Sequence, residues 1–269
     1  MYEEKIKKFP WLHYLESCAS TNTWTLDRLN ASLDASLHNS QEHDRLKHGD
    51  AVFTRQQTSG RGQQGRSWFS NEGVLTASFY LDRLPTLYLP YLSLLTGLAV
   101  IYAVEDLAIA LKNELRLKWT NDIMLAEGKL AGILCEAIAR GKESRVVIGV
   151  GINLCVDFTE VDRSNFSIVN PVSLHQFTTP PEDLVLLEKI RHYLLELNSS
   201  IVSEKFTLAA FLPELNRRNF LLDRQVRFQS IEGEYIGIVK KIDDRGRLSI
   251  ELPDNSRRYF LSGRILSWQ

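Results

Sequence analysis

The sequence is poor in several features that narrow a protein's class quickly. Its 269 residues hold only three cysteines, Cys18, Cys135 and Cys155, an odd number without metal-ligand spacing. A disulfide framework and a cysteine-built zinc site are therefore not expected. Cys135 and Cys155 sit in apolar, strand-like runs and read as buried thiols of a reducing compartment. Neither sign of charge dominates: 32 basic against 33 acidic residues leave a net −1, so no global basic field points to nucleic acid. The segment Met1 to Phe9 is charged and is not followed by an apolar signal region. The longest apolar stretch, Tyr88 to Ala110, is broken by Glu105 and Asp106, which predicts a buried helix rather than a membrane span. The six histidines (13, 38, 43, 48, 175 and 192) fall mostly in loops and on helical surfaces. No Ser/His/Asp triad, metal-ligand cluster, internal repeat or low-complexity segment emerges, and the chain reads as soluble and cytoplasmic.

What is present is an alternation of helical and strand-like patterns followed by a run of short strands. Ser20-Thr21-Asn22 offers capping residues, and Leu29, Leu33 and Leu37 follow at helical spacing. A polar loop is expected from Asn39 to Asp50. Strands are expected at Ala51 to Thr54, Gly73 to Leu81, and Leu115 to Trp119 before the turn Thr120-Asn121-Asp122. Ile123 to Ala126 and Leu130 to Ala139 flank Glu127-Gly128-Lys129 as a hairpin, and Arg145 to Leu154 is a further strand. Helices are expected over Pro181 to Asn198 and Ser203 to Arg217. Beyond Phe220, short strands at Gln225 to Phe228, Glu234 to Lys241, Leu248 to Leu252 and Arg258 to Leu261 alternate with turns, the pattern of a small SH3-like β-barrel. The fold class is α/β (α+β), with units expected over 1–218 and 219–269.

The loop Gly60-Arg61-Gly62-Gln63-Gln64-Gly65-Arg66-Ser67 satisfies G-x-G-x-x-G and lies after a strand. A dinucleotide fold next needs a helix whose N-terminus receives the pyrophosphate, and a P-loop needs one too. Here the chain runs on into another strand, which disfavours both. A third reading is an anion-binding loop between two strands. Three glycines let several N–H groups converge on one oxyanion, and Arg61 and Arg66 add guanidinium forks. The plain alternative is a solvated turn with incidental arginines.

Ser59 to Trp68 resembles the signature loop of biotin–protein ligases, written G-R-G-R-R-G-R-x-W. Lys118-Trp119-Thr120-Asn121-Asp122 resembles K-W-P-N-D. Lys129 to Leu134 resembles K-x-x-G-I-L, Gly149 to Asn153 resembles G-x-G-x-N, and Ser20-Thr21-Asn22 matches the S-T-N that opens the catalytic domain. Any one motif is weak; five in order are specific, and the likeness covers nearly the whole chain. Gln63 and Gln64 stand where the loop has arginines, and Thr120 where the motif has proline.

The resemblance implies a mixed-sheet catalytic domain of the biotin/lipoate ligase type and a two-step chemistry. Biotin carboxylate attacks the α-phosphorus of ATP, then a lysine of a biotin carboxyl carrier protein attacks the mixed anhydride. The first step brings two anions together, so positive charge is needed where they meet. Lys118 is chosen for that task, with Arg61 beside it; its plain alternative is a surface lysine paired with Glu114 or Asp122. The biotin-binding set is Ser20, Thr21, Asn22, Gln57, Arg61, Gly62, Gln63, Lys118 and Gly132, with Ser20, Thr21 and Gln57 suited to a buried ureido group. Gly132, Gly149 and Gly151 would admit flat ligand rings, or simply close strand packing. The ATP-binding set is Gly60, Gly65, Arg66, Trp68 and Asn153, with Trp68 as a stacking platform for adenine. Mg²⁺ would arrive with ATP and keep its waters, with no metal site on the protein.

A lipoate or octanoate ligase or transferase is the nearest rival, since it also acylates a lysine. A catalytically weakened biotin-binding protein is another. A DNA-binding repressor would need an N-terminal helix-turn-helix of roughly sixty residues, and only nineteen precede Ser20. A monofunctional ligase with no nucleic-acid or membrane partner is therefore expected.

Overall fold

The computed structural model describes residues 2–31, 45–159, 169–203 and 205–269. Leu33 and Leu37, and half of the loop expected from Asn39 to Asp50, lie outside them. Seven strands form one sheet: β1 (Leu12–Leu15), β2 (Ala51–Thr54), β3 (Val74–Pro85), β4 (Arg116–Lys118), β5 (Asp122–Leu125), β6 (Gly128–Arg140) and β7 (Glu143–Asn153), in the order β1-β2-β3-β7-β6-β5-β4. Only the β1–β2 pair is parallel, so the sheet is mixed, as expected. β3 has buried residues on both faces over Val74 to Leu81, which is why it reads as a nearly continuous apolar run.

Helix α1 (Tyr2–Ile6) precedes β1, and α2 (Thr21–Ala31) packs on β3 and β7. The apolar stretch begins with a 3-10 turn over Thr86–Tyr91 that contains Pro90, then continues as α3 (Leu92–Leu107). Among the described residues Thr86–Leu107 is the one helical stretch long and apolar enough to cross a membrane, and most of it is buried inside the protein. Burial all round, not on one stripe, explains its unbroken apolar sequence. Against α3 lies α4 (Asp183–Ile201), which buries Leu186, Leu187, Ile190, Leu194 and Leu197 at helical spacing.

The second expected helix, Ser203 to Arg217, is corrected. It reduces to a 3-10 turn at Leu208–Ala210 and α5 (Leu212–Arg217). Pro213 stands in the first turn of α5. Lacking an N–H and clashing with a preceding turn, proline begins a helix far better than it continues one.

The C-terminal strands β8 (Gln225–Ser230), β9 (Gly233–Ile242), β10 (Leu248–Glu251), β11 (Arg257–Phe260) and β12 (Arg264–Trp268) form an antiparallel sheet in the order β11-β10-β9-β8-β12. Strands β1 and β12 are additions to the expected set. Both are short, and β12 carries Arg264 and Ser267 among its apolar residues, a pattern too brief to announce itself.

The chain enters this second sheet through a buried junction. Arg218 is 1 % exposed and donates from Nη1 and Nη2 to the two Glu105 oxygens at 2.6 and 2.8 Å, and from Nη1 to the Leu115 carbonyl at 2.9 Å. Its Nε donates to Glu214 at 2.7 Å. The backbone of residues 218–220 pairs with Leu117 on both sides, which fastens the junction to β4.

Glu214 also accepts two hydrogen bonds from Arg217. These, followed by the one from Arg218, hold its carboxyl pKa at about 2, against an ordinary 4.5. A carboxylate with a depressed folded pKa adds stability above its unfolded pKa and loses it as pH falls through the folded value. Urea stability should therefore decline on acidification from about pH 4.5 towards 2, and Glu214→Gln should remove part of that slope. An unchanged slope in the variant would assign the acid sensitivity elsewhere.

Candidate functional site

A cleft enclosing about 1000 Å³, mouth included, opens between the start of α2, the Gly-rich loop and the sheet. Its walls collect most of the residues singled out in the sequence: Ser20, Thr21, Asn22, Gln57, Arg61, Gly62, Gln63, Arg66, Trp68, Gly132 and Asn153. Gly60, Gly65 and Lys118 are not among the lining residues.

The inner end is polar and braced. Ser20, Thr21 and Asn22 are buried at the start of α2. Gln57 Oε1 accepts from the Thr21 N–H at 2.8 Å and from Thr21 Oγ1 at 3.2 Å. Ser78 Oγ donates to Thr21 Oγ1 at 2.7 Å and also contacts Asn22 Oδ1. Asn22 Nδ2 donates to the Leu134 carbonyl at 3.1 Å and to Glu136 Oε2 at 2.8 Å. Asn22 lies so close to Gly149 that a Cβ there would meet its amide, so this glycine makes room for a neighbouring side chain.

The Gly-rich loop is a folded hairpin. Trp68 N–H donates to the Gly60 carbonyl at 2.9 Å, Gly62 N–H to the Arg66 carbonyl at 2.7 Å, and Arg61 bridges Ser67. Its tip turns through Gln64 and Gly65 at φ +58° and +72°, left-handed values that glycine reaches without strain. Arg61 is tied to the sheet, its Nη2 donating to Glu136 Oε2 at 2.6 Å. Gln63 faces the cleft and accepts from Thr120 Oγ1 at 3.4 Å, whereas Gln64 is exposed at the tip.

Trp68 lies across the sheet. A Cβ on Gly151 would overlap its indole, and one on Gly132 would stand 3.1 Å from it. One face of the ring is thus occupied by backbone, and Gly132 and Gly151 clear space for the tryptophan as much as for a ligand. Its Nε1 is buried without a hydrogen-bond partner among the described residues. Buried donors are seldom left so, and this one is available to a ligand acceptor.

The lysine on the cleft wall is Lys129, to which the sequence motifs gave no role. Its Nζ lies 2.6 Å from Asp122 Oδ1 and 5.4 Å from the Trp68 ring centroid. Lys118, expected to aim its ammonium into the site, is turned onto Asp122 Oδ2 at 3.2 Å and is 8 % exposed. Burial pushes the Lys118 ammonium pKa down, with Asp122 opposing it. Burial alone would raise the Asp122 carboxyl, but the Lys129 and Lys118 ammoniums overcome that and hold it down. Asn153 Nδ2 donates to the carbonyls of Lys129 (3.3 Å) and Val172 (3.0 Å), bracing the strand that presents Lys129. Asn121 also lines the cleft, its Nδ2 donating to the Ile133 carbonyl at 2.8 Å. Among the described residues no group of three His, Cys, Asp or Glu side chains could hold a metal ion.

Residues 16–153, half the chain and nearly all of this cleft, match the model of the biotin/lipoate A/B protein ligase family. The chain belongs to that family. Residues 221–267 match the biotin protein ligase C terminal domain, so both sheets of this ligase-family chain have counterparts. A bifunctional ligase/repressor, BirA, of Salmonella typhimurium is 30 % identical over 251 residues, covering 91 % of this chain and 71 % of the relative. A biotin–[acetyl-CoA-carboxylase] ligase of Mycobacterium tuberculosis is 29 % identical over 208 residues, 76 % of this chain and 74 % of that one. The solved biotin protein ligase of Aquifex aeolicus, in complex with biotin and ATP, superposes with a TM-score of 0.69 at 24 % identity, covering 96 % of this chain and 98 % of that one. It shares the fold.

Proposed function

We propose that this chain activates biotin with ATP and transfers it to a lysine of a biotin carboxyl carrier protein, the acceptor being a subunit of acetyl-CoA carboxylase or another biotin-dependent carboxylase. The catalytic unit spans 1–218 and the C-terminal unit 219–269. The observation that carries the reading is the cleft itself: hydroxyls and an amide at a buried end, a glycine-cleared floor under Trp68, and a single lysine ammonium beside a hairpin with two arginines. Ser20, Thr21, Asn22 and Gln57 take the ureido ring. The tail carboxylate runs towards Lys129 and Arg61, with Gly62, Gln63 and Gly132 beside it. The nucleotide enters along Arg66, Trp68 and Asn153, with Gly60 and Gly65 setting the hairpin that bears Arg66. Mg²⁺ comes in on the ATP phosphates and keeps several waters.

In the first step a biotin carboxylate oxygen bonds to the α-phosphorus, the bond to the bridging oxygen breaks, and pyrophosphate leaves. Lys129 and Arg61 offset the charge where the two anions meet. In the second, the neutral acceptor amine attacks the acyl carbon, AMP departs, and the amine sheds its proton as the amide forms. The protein need supply no nucleophile.

Incubation with ATP, Mg²⁺ and either biotin or lipoate, followed by mass detection of the adenylate, tests the reading. Biotinyl-adenylate is expected; lipoyl-adenylate alone, or no adenylate, would overturn it. A charge added at Gln63, on the cleft wall, should also retain the intermediate. Gln63→Arg is expected to slow biotinyl-adenylate release by about tenfold, the effect of one charge-assisted hydrogen bond. Gln64→Arg, at the exposed tip, should change it little. Equal dissociation rates for Gln63→Arg and the unsubstituted protein would remove that role.

A further inference from the structure

One lysine outside the cleft stands directly behind the lysine that faces it. Asp122 is buried and gives one oxygen to each: Oδ2 to Lys118 at 3.2 Å and Oδ1 to Lys129 at 2.6 Å. Lys118 is closed off on its far side by Trp268, whose ring centroid is 5.3 Å from Nζ. Trp268 belongs to the last strand of the C-terminal sheet and is held from two sides. Its indole lies beside Glu127, and its ring meets Phe220 edge-on at 5.7 Å. Glu127 is itself gripped by both Nη atoms of Arg224, at 2.8 and 2.7 Å.

The charge count gives this arrangement a consequence. A lone Asp122 would cancel Lys129 and draw its ammonium away from any ligand. With Lys118 on the other oxygen, the carboxylate is already neutralised, and one positive charge is left over on the cleft side. We propose that Lys118 and Trp268 are positioning residues for Lys129: Lys118 neutralises Asp122 from behind, Trp268 shields that pair from water, and the Lys129 charge stays uncompensated towards the cleft. This rests on the reading of the site as adenylate-forming. It makes the C-terminal sheet a contributor to the first chemical step although Trp268 does not line the cleft.

The test is biotin-dependent ATP–pyrophosphate exchange, with kcat and the KM for biotin measured separately. Lys118→Met keeps the length and removes the charge; kcat should fall about a hundredfold, the scale of losing one electrostatic contribution to a shielded transition state, with KM little changed. Trp268→Ala should cost about tenfold in kcat, the scale of losing a shielded cation–π contact, and Trp268→Phe should restore most of it. The decisive variant is Lys118→Met combined with Asp122→Asn. Removing the carboxylate again frees the Lys129 charge, so kcat should recover to within several-fold of the unsubstituted protein. Neither a packing role for Lys118 nor direct contact with substrate predicts that rescue. A double variant no faster than Lys118→Met overturns the proposal, as does a Lys118→Met protein of normal kcat. Should Lys118→Met fail to fold, the Trp268 pair decides, and equal kcat for Ala and Phe overturns the role of the ring. An unsubstituted protein that shows no exchange with biotin overturns the functional reading itself; normal exchange with unaffected variants overturns only the positioning roles.

Discussion

Lys129→Ala is expected to lower biotin-dependent ATP–pyrophosphate exchange by about a thousandfold while leaving the melting temperature nearly unchanged. The two halves of that result have separate causes. The ammonium is the lysine charge on the cleft wall, and the first step joins a carboxylate to a phosphate. Losing a preorganised charge at such a point costs on the order of a hundred- to a thousandfold in rate. The fold tolerates the change because Asp122 keeps Lys118 on its other oxygen. A buried carboxylate left with one partner avoids most of the penalty of an unpaired charge. Binding of biotin, followed by calorimetry without ATP, should weaken far less than the rate, since the contacts proposed for the ureido ring at Thr21 and Gln57 are untouched. Exchange within several-fold of the unsubstituted protein would remove Lys129 from the chemistry.

Arg218→Met is expected to destabilise the protein by about 3–5 kcal/mol, the cost of removing one member of a buried ion pair. The reason is what it leaves behind. Glu105 is 1 % exposed and receives two hydrogen bonds from the Arg218 guanidinium. Without it the carboxylate stays buried in the last turn of α3 with, among the described residues, only the Leu115 N–H, at 3.4 Å, as a donor. Pairing the change with Glu105→Leu removes the stranded charge and should recover most of the loss, because buried ion pairs seldom outperform apolar residues of similar size. Urea midpoints for the single and double variants measure both. A double variant as unstable as Arg218→Met would show that the arginine acts through the Leu115 carbonyl and the β4 junction instead.

Much of the site was legible because its parts are contiguous in the chain. Ser20 to Asn22, Gln57, the hairpin from Gly60 to Trp68 and the glycines at 132, 149 and 151 each carry a local signature, and most of them meet in one cleft. The choice of lysine was not legible, and strand geometry explains why. Strict alternation puts Lys129 and Gly132, three residues apart on β6, on opposite faces. The register between β5 and β6 shifts at this point: Ile123 pairs with Ala131, but Met124 pairs with Lys129, skipping Leu130. A one-residue bulge returns Lys129 to the face of Gly132, and both line the cleft. The same limit applies to Trp268. It lies 150 residues after Lys118 in the numbering, and its place over that ammonium depends on how the second sheet seats against β4. Glu136 was likewise unmarked, since nothing local on its strand ties it to Arg61, which lies 75 residues earlier in the chain.

That glutamate changes what it means for an anion to enter the cleft. Arg61 begins with Glu136 as its partner, so an arriving carboxylate or phosphate takes over a guanidinium already engaged. Recognition there is an exchange of one counter-charge for another, and the net gain is a difference between two similar ion pairs. Such a contact selects on geometry more than on charge. A ligand that cannot match the fork at the right distance gains nothing over the resident carboxylate, and the hairpin keeps its resting shape.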